Sequence, residues 1–129
     1  MRRFIFLYPL LTALLLIGCQ GQRGKIQSKV EEFLDATVAD GYDYDIERYD
    51  NWDSTFSVSQ ESVEANHAYA DTVAHFKKGI TYQPYKAGDK LIYVGVKYKV
   101  TRDGSEPADC KQTVYMDKDL NGIVCVKEN

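Results

Sequence analysis

Apolar and polar positions alternate along this chain in two different rhythms, and the change of rhythm marks out its elements. From Lys25 to Asp40, the residues Ile26, Val30, Phe33, Leu34 and Val38 recur at helical spacing and fall on one stripe, with Lys29, Glu31, Glu32 and Asp35 away from it. This spacing predicts an amphipathic helix that Gly41 can end. Tyr42-Asp43-Tyr44-Asp45-Ile46-Glu47 then alternates strictly, as a half-exposed strand does. Asp50 to Asp53 is turn-forming, and Thr55 to Val58 extends or re-enters the strand. Ser57 or Ser59 can cap a second helix running to about Lys78, with Gly79 as its stop and Val63, Ala70, Val73 and Ala74 on its buried side.

Beyond Pro84 the pattern is all strand. In Leu91 to Val100, the residues Ile92, Val94, Val96, Tyr98 and Val100 share one face. Arg102 to Asp109 reads as a loop, Lys111 to Met116 as a strand, Asp117 to Gly122 as a turn and Ile123 to Lys127 as a last strand. Helix, strand, helix and three antiparallel strands define an α+β class, two helices packed on a curled antiparallel sheet.

The first nineteen residues follow another logic. Arg2 and Arg3 precede an uncharged run from Phe4 to Ile17, the layout of a signal peptide. Fourteen helical residues reach only about 21 Å, short of a hydrocarbon core of roughly 30 Å. Leu16-Ile17-Gly18-Cys19 resembles a lipobox, the motif of bacterial lipoproteins: Leu first, a small residue before the cut, Cys after it. The resemblance implies cleavage after residue 18, a diacylglycerol thioether on Cys19 and acylation (palmitate or a similar chain) of the new amine. Two or three acyl chains give stable membrane anchoring. Gln20 in place of Asp points to the outer membrane, and the absence of an acidic export cluster points to its periplasmic face. The expected organisation is a signal peptide at 1–18, a lipidated flexible tether at 19–24 and one domain at 25–129.

The exported part has the size of a single domain. Sixteen basic residues stand against nineteen acidic; removal of Arg2 and Arg3 takes the formal charge from −3 to −5. That balance gives no electrostatic basis for gripping nucleic acid or for a second contact with an anionic bilayer. With Cys19 alkylated, Cys110 and Cys125 remain in a compartment that permits disulfides. They form either one bond, contributing about 3 kcal/mol in the chain-entropy model, or two buried thiols; the bond is the expectation.

The element order, with the closing segment Val114 to Val124, resembles the cystatin-like and NTF2-like folds found among small cell-envelope lipoproteins of Bacteroidetes. The Gln-x-Val-x-Gly loop of cystatin inhibitors is absent, so that activity does not carry over.

Three patterns bear on chemistry. Asp117-Lys118-Asp119-Leu120-Asn121-Gly122, with Glu128 further on, formally matches a calcium-binding EF-hand loop. The flanking β-branched residues favour a hairpin turn instead. Glu64, His67, Asp71 and His75 fall on one helical strip, yet the two His lie about 12 Å apart along a helix, too far to share one ion. A solvated face is the expectation. Tyr42, Tyr49 and Trp52, with Tyr44 among carboxylates, form a candidate surface for a glycan or a protein partner; the plainer alternative is an edge strand with its tyrosines in the core. Catalytic residues, metal and cofactor are expected to be none. The leading expectation is a non-enzymatic lipoprotein binding a protein or glycan, and the alternative is a small hydrolase or metal-dependent enzyme with its site in a concave sheet pocket.

Overall fold

Residues 21–129 are described by the structure, a computed structural model. Its first helix, α1, covers 21–37 and buries Ile26, Val30, Phe33, Leu34 and Thr37 along one side. Residues 21–24, expected as part of a flexible tether, are helical and continuous with it. Once a nucleus exists, each added residue contributes one hydrogen bond, and the packed stripe beginning at Ile26 supplies that nucleus.

Strand β1 (Tyr42–Tyr49) follows, then the short strand β2 (Asp53–Thr55). Helix α2 spans Gln60–Thr72 and is capped by Ser59, whose hydroxyl accepts from the Ser62 N–H at 3.1 Å. Strands β3 (Leu91–Arg102), β4 (Ala108–Asp117) and β5 (Ile123–Glu128) complete the chain. The result is an α+β fold, two helices on an open five-stranded antiparallel sheet in the order β1-β3-β4-β5, with β2 also paired to β3. Tyr42 lies opposite Arg102 and Thr55 opposite Leu91, so β1 and β2 share the length of β3 between them.

The inward face of β3 is the one its alternation predicts. Ile92, Val94, Val96, Tyr98 and Val100 are buried against α1, together with Val114 and Met116 of β4 and Val126 of β5. A smaller cluster on the opposite face gathers Leu91, Val124 and Cys125 with Val63 of α2, flanked by Val58, Tyr85 and Tyr115. Helix α2 lies beside β5 and joins both clusters, through Ala70 at one end and Val63 at the other.

The second helix stops at Thr72 rather than near Lys78. Val73 is extended (φ −73°, ψ 117°), and the next residues bond to the end of α1: Ala39 N–H to His75 O at 2.8 Å, Lys77 N–H to Thr37 O at 2.7 Å. Phe76 turns inward and meets Phe33 edge-on, ring centroids 5.9 Å apart. A buried aromatic and two long-range backbone bonds outweigh one further helical turn.

Gly95 shows why a small residue stands in β3. A side-chain carbon there would lie 3.1 Å from Asp50 Cγ, whose backbone N–H also donates to Gly95 O at 2.8 Å.

Candidate functional site

Four side chains from four parts of the fold join into one polar chain that crosses the middle of the sheet, on the side toward the Tyr42–Arg102 end. Tyr98 of β3 is fully buried and stands opposite Cys110 of β4; Gln112, two residues further along β4, is also fully buried. The Tyr98 hydroxyl donates to Gln112 Oε1 at 2.8 Å, and Gln112 Nε2 donates to the Tyr69 hydroxyl of α2 at 3.0 Å. His75 Nε2 lies 2.8 Å from the Tyr98 oxygen. Because Tyr98 gives its single proton to Gln112, His75 is the donor, which places its proton on Nε2.

Burial tunes every titratable member toward its neutral form. It lowers the His75 imidazole below its ordinary value. It raises Tyr98, with Cys110 adding to the effect and Gln112 opposing it. It raises Tyr69 as well, against the hydrogen bond from Gln112. The Cys110 thiol is also pushed up by burial and, more weakly, by Glu128, while contact with Tyr98 opposes the shift. Burial thus keeps the sulfur a thiol rather than the more nucleophilic thiolate.

A cavity of about 340 Å³ opens beside this chain, lined by Tyr42, His75, Val100, Arg102, Glu106 and Cys110 among others. The Arg102 guanidinium stands 5.7 Å from the Tyr42 ring centroid, a cation–π contact that holds both at the cavity wall. The β3–β4 turn closes with Ser105 N–H to Arg102 O at 2.9 Å, and Gly104 (φ +77°) supplies the left-handed residue that it needs. A tyrosine ring, one cation and one carboxylate around an apolar floor suit an amphipathic ligand.

The residues singled out from the sequence are dispersed. Tyr42 lines the cavity. Tyr49 lies at the far end of β1, roughly 23 Å of strand away, and its hydroxyl donates to Gln27 O in α1 at 3.4 Å. Burial and the nearby Glu31 push that hydroxyl up to about 12. Tyr44 likewise bonds α1, through Asp35 and Glu31 O, so the β1 tyrosines fasten the helix to the sheet. Trp52 stands exposed in the β1–β2 connection. These residues do not form one surface.

Glu64 and Asp71 are exposed on α2. His67 donates to Val124 O at 2.7 Å and stacks on Tyr82, with centroids 3.9 Å apart, while His75 lies beyond the helix end. Among the described residues no group of three His, Cys, Asp or Glu side chains could hold a metal ion. The Asp117–Gly122 segment is the β4–β5 hairpin turn: Asp117 Oδ1 accepts from Asn121 N–H at 2.8 Å and Gly122 N–H at 2.9 Å. Leu120 takes a left-handed φ of 57° there and is 3% exposed. A left-handed residue costs about 1–2 kcal/mol, which burial of a leucine, about 1.5–3 kcal/mol, offsets.

The expected Cys110–Cys125 bond is not formed; both thiols are free. Cys110 faces Tyr98 in the main core, whereas Cys125 stands opposite Tyr115 on the other side of the sheet and accepts from Asn66 Nδ2 at 3.6 Å. The signal peptide at 1–18 and Cys19 lie outside the described residues.

The polar chain escaped the sequence reading, although one signal pointed to it. Gln112 occupies the inward register of Val114 and Met116, a polar residue where the alternation calls for an apolar one. Among the described residues no helix is long and apolar enough to cross a membrane. Comparison with protein-family models, with curated proteins and with solved structures finds no match.

Proposed function

We propose that this chain is a bacterial lipoprotein of the cell envelope, anchored through acylated Cys19 to the periplasmic face of the outer membrane, whose domain binds a protein or glycan partner without transforming it. The fold is proposed to be of the cystatin-like or NTF2-like kind. One observation carries the binding role: the cavity has the Tyr42 ring with the Arg102 guanidinium over it as one wall, Glu106 nearby and an apolar floor of Ala74, Val100 and Ala108. An aromatic wall with a cation and a carboxylate suits stacking on a sugar or holding a peptide. Nothing in this reading requires a cofactor.

Two measurements test it. Cys19→Ser is expected to abolish lipid labelling and processing before residue 19; a variant still cut and anchored there rejects the lipoprotein reading. For the cavity, the isotopically labelled protein is titrated with soluble peptidoglycan fragments, which carry both sugar and peptide. Shifts centred on Val100, Ala108 and Cys110, lost in Arg102→Ala and with the fragment recovered intact, support the binding role. Cleavage of the fragment, lost in Cys110→Ala, would establish the enzyme instead.

A further inference from the structure

We infer that Trp52 and Phe56 dock on the lipid bilayer as a second, uncharged contact that sets the orientation of the domain; this rests on the proposed anchoring through Cys19. Among the described residues these two are the large apolar side chains left exposed, Trp52 at 38% and Phe56 at 64%. They flank β2, four positions apart, so they belong to one end of the sheet.

That end is where the anchor enters. Tyr44 bonds α1 at Glu31 and Asp35, and Tyr49 bonds it at Gln27, so α1 and β1 run antiparallel. The start of α1 therefore continues past Tyr49 in the direction of β2. Cys19 precedes residue 21 by two positions, at most about 7 Å of chain. The chain that carries the anchor thus joins the described domain at the β2 end, the end that also exposes the tryptophan and the phenylalanine. The cavity at Tyr42 and Arg102 lies at the opposite end of β3, roughly 36 Å away along the strand.

Trp and Phe partition into the headgroup boundary because a flat or amphipathic ring loses water there without burying a charge. The shallow depression beside Phe56 carries Lys90 and Lys118 against Asp89, Asp117 and Asp119, with no excess of positive charge to seek anionic lipid. The occupant is accordingly a zwitterionic lipid surface, and the contact is insensitive to salt. Its strength can be small. The lipid anchor holds the patch near the surface at an effective concentration in the millimolar range, so a contact too weak to retain a free domain still orients an anchored one. An oriented domain keeps the cavity facing away from the membrane.

The chain has a single tryptophan, so its fluorescence reports position 52 alone. The full-length exported protein is reconstituted into phosphatidylcholine vesicles, with acylation of Cys19 checked by mass spectrometry. We expect a blue-shifted emission, quenching by lipids brominated along the acyl chain, and at least a twofold loss of that quenching in Phe56→Asp. Phe56→Ser, at the same exposed position, guards against a folding artefact and should give the same loss with an unchanged melting midpoint. Acylated protein whose Trp52 stays open to aqueous iodide and untouched by brominated lipid would overturn the docking and leave the anchoring intact. Protein that carries no acyl group and does not float with vesicles would overturn both.

Discussion

Gln112 uses both ends of its amide, accepting from Tyr98 and donating to Tyr69, at zero exposure. Gln112→Leu would fill a similar volume, yet the Tyr98 proton would lose its acceptor and the Tyr69 oxygen its donor. An unsatisfied buried polar group costs about 1–3 kcal/mol, so we expect a loss of about 2–4 kcal/mol in urea unfolding. A change below about 1 kcal/mol would mean that water replaces the amide. The neighbouring His75 makes stability depend on pH, with a definite sign. Burial lowers its folded pKa below the ordinary 6.5. The unfolded chain therefore takes up a proton near pH 6.5, whereas the folded chain does so only at lower pH. Stability is full above 6.5 and falls as pH drops through that window, by at most about 1.4 kcal/mol per unit. His75→Gln keeps a donor toward Tyr98 and cannot titrate. The stability difference between the native protein and this variant should shrink from about pH 7.5 to about pH 5.5; a constant difference would show that the imidazole is not held neutral.

At the scale of elements, strand parity decides what sequence spacing leaves open. A separation of fifteen positions between Cys110 and Cys125 makes a loop that a disulfide could close, but the register places Tyr98 opposite Cys110 and Tyr115 opposite Cys125. Positions 110 and 115 of β4 are an odd number apart, so their side chains leave opposite faces. Non-reducing peptide mapping of protein isolated without reductant is expected to find two free thiols, with Cys110, the less buried, alkylated first in the folded state; a Cys110–Cys125 peptide would contradict the register. The inward face of β3 was legible because alternation is a local property, and so was the hairpin at Asp117, where Asp, Asn and Gly define the turn. The end of α2 was not. Whether Val73 to Lys77 stays helical depends on Thr37 and Ala39, over thirty residues earlier, and on the pocket that Phe33 offers Phe76. The polar strip from Glu64 to His75 was lost with that helical turn. The chain from His75 to Tyr69 was illegible for the same reason, since α2, a turn, β3 and β4 each supply one member.

Across the whole molecule, cooperativity should be graded from the centre of the sheet outward. Strand β3 is bonded on both sides, by β1 and β2 on one and β4 on the other, and β4 lies between β3 and β5. Their inward residues, Val94, Val96, Tyr98, Val114 and Met116, form the floor on which α1 packs. Opening an amide in either strand therefore requires removing a neighbour first. The connection from α2 to β3 is held differently. From Lys77 onward its described backbone bonds are few, Lys77 N–H to Thr37 O, Gln83 N–H to Ile123 O and Asp89 N–H to Lys86 O, and most of residues 84–90 are exposed. Local openings there expose little apolar surface and cost little. We expect hydrogen–deuterium exchange in β3 and β4 to occur only through global unfolding, residues 84–90 to exchange within the earliest times, and Gln83 to stand out as a protected amide where the connection clips onto β5. If β4 exchanged as fast as that connection, β5 and α2 would have to detach as a unit without disturbing β3. The buried Tyr69–Gln112 bond, which ties α2 to β4 from inside the core, opposes that separation.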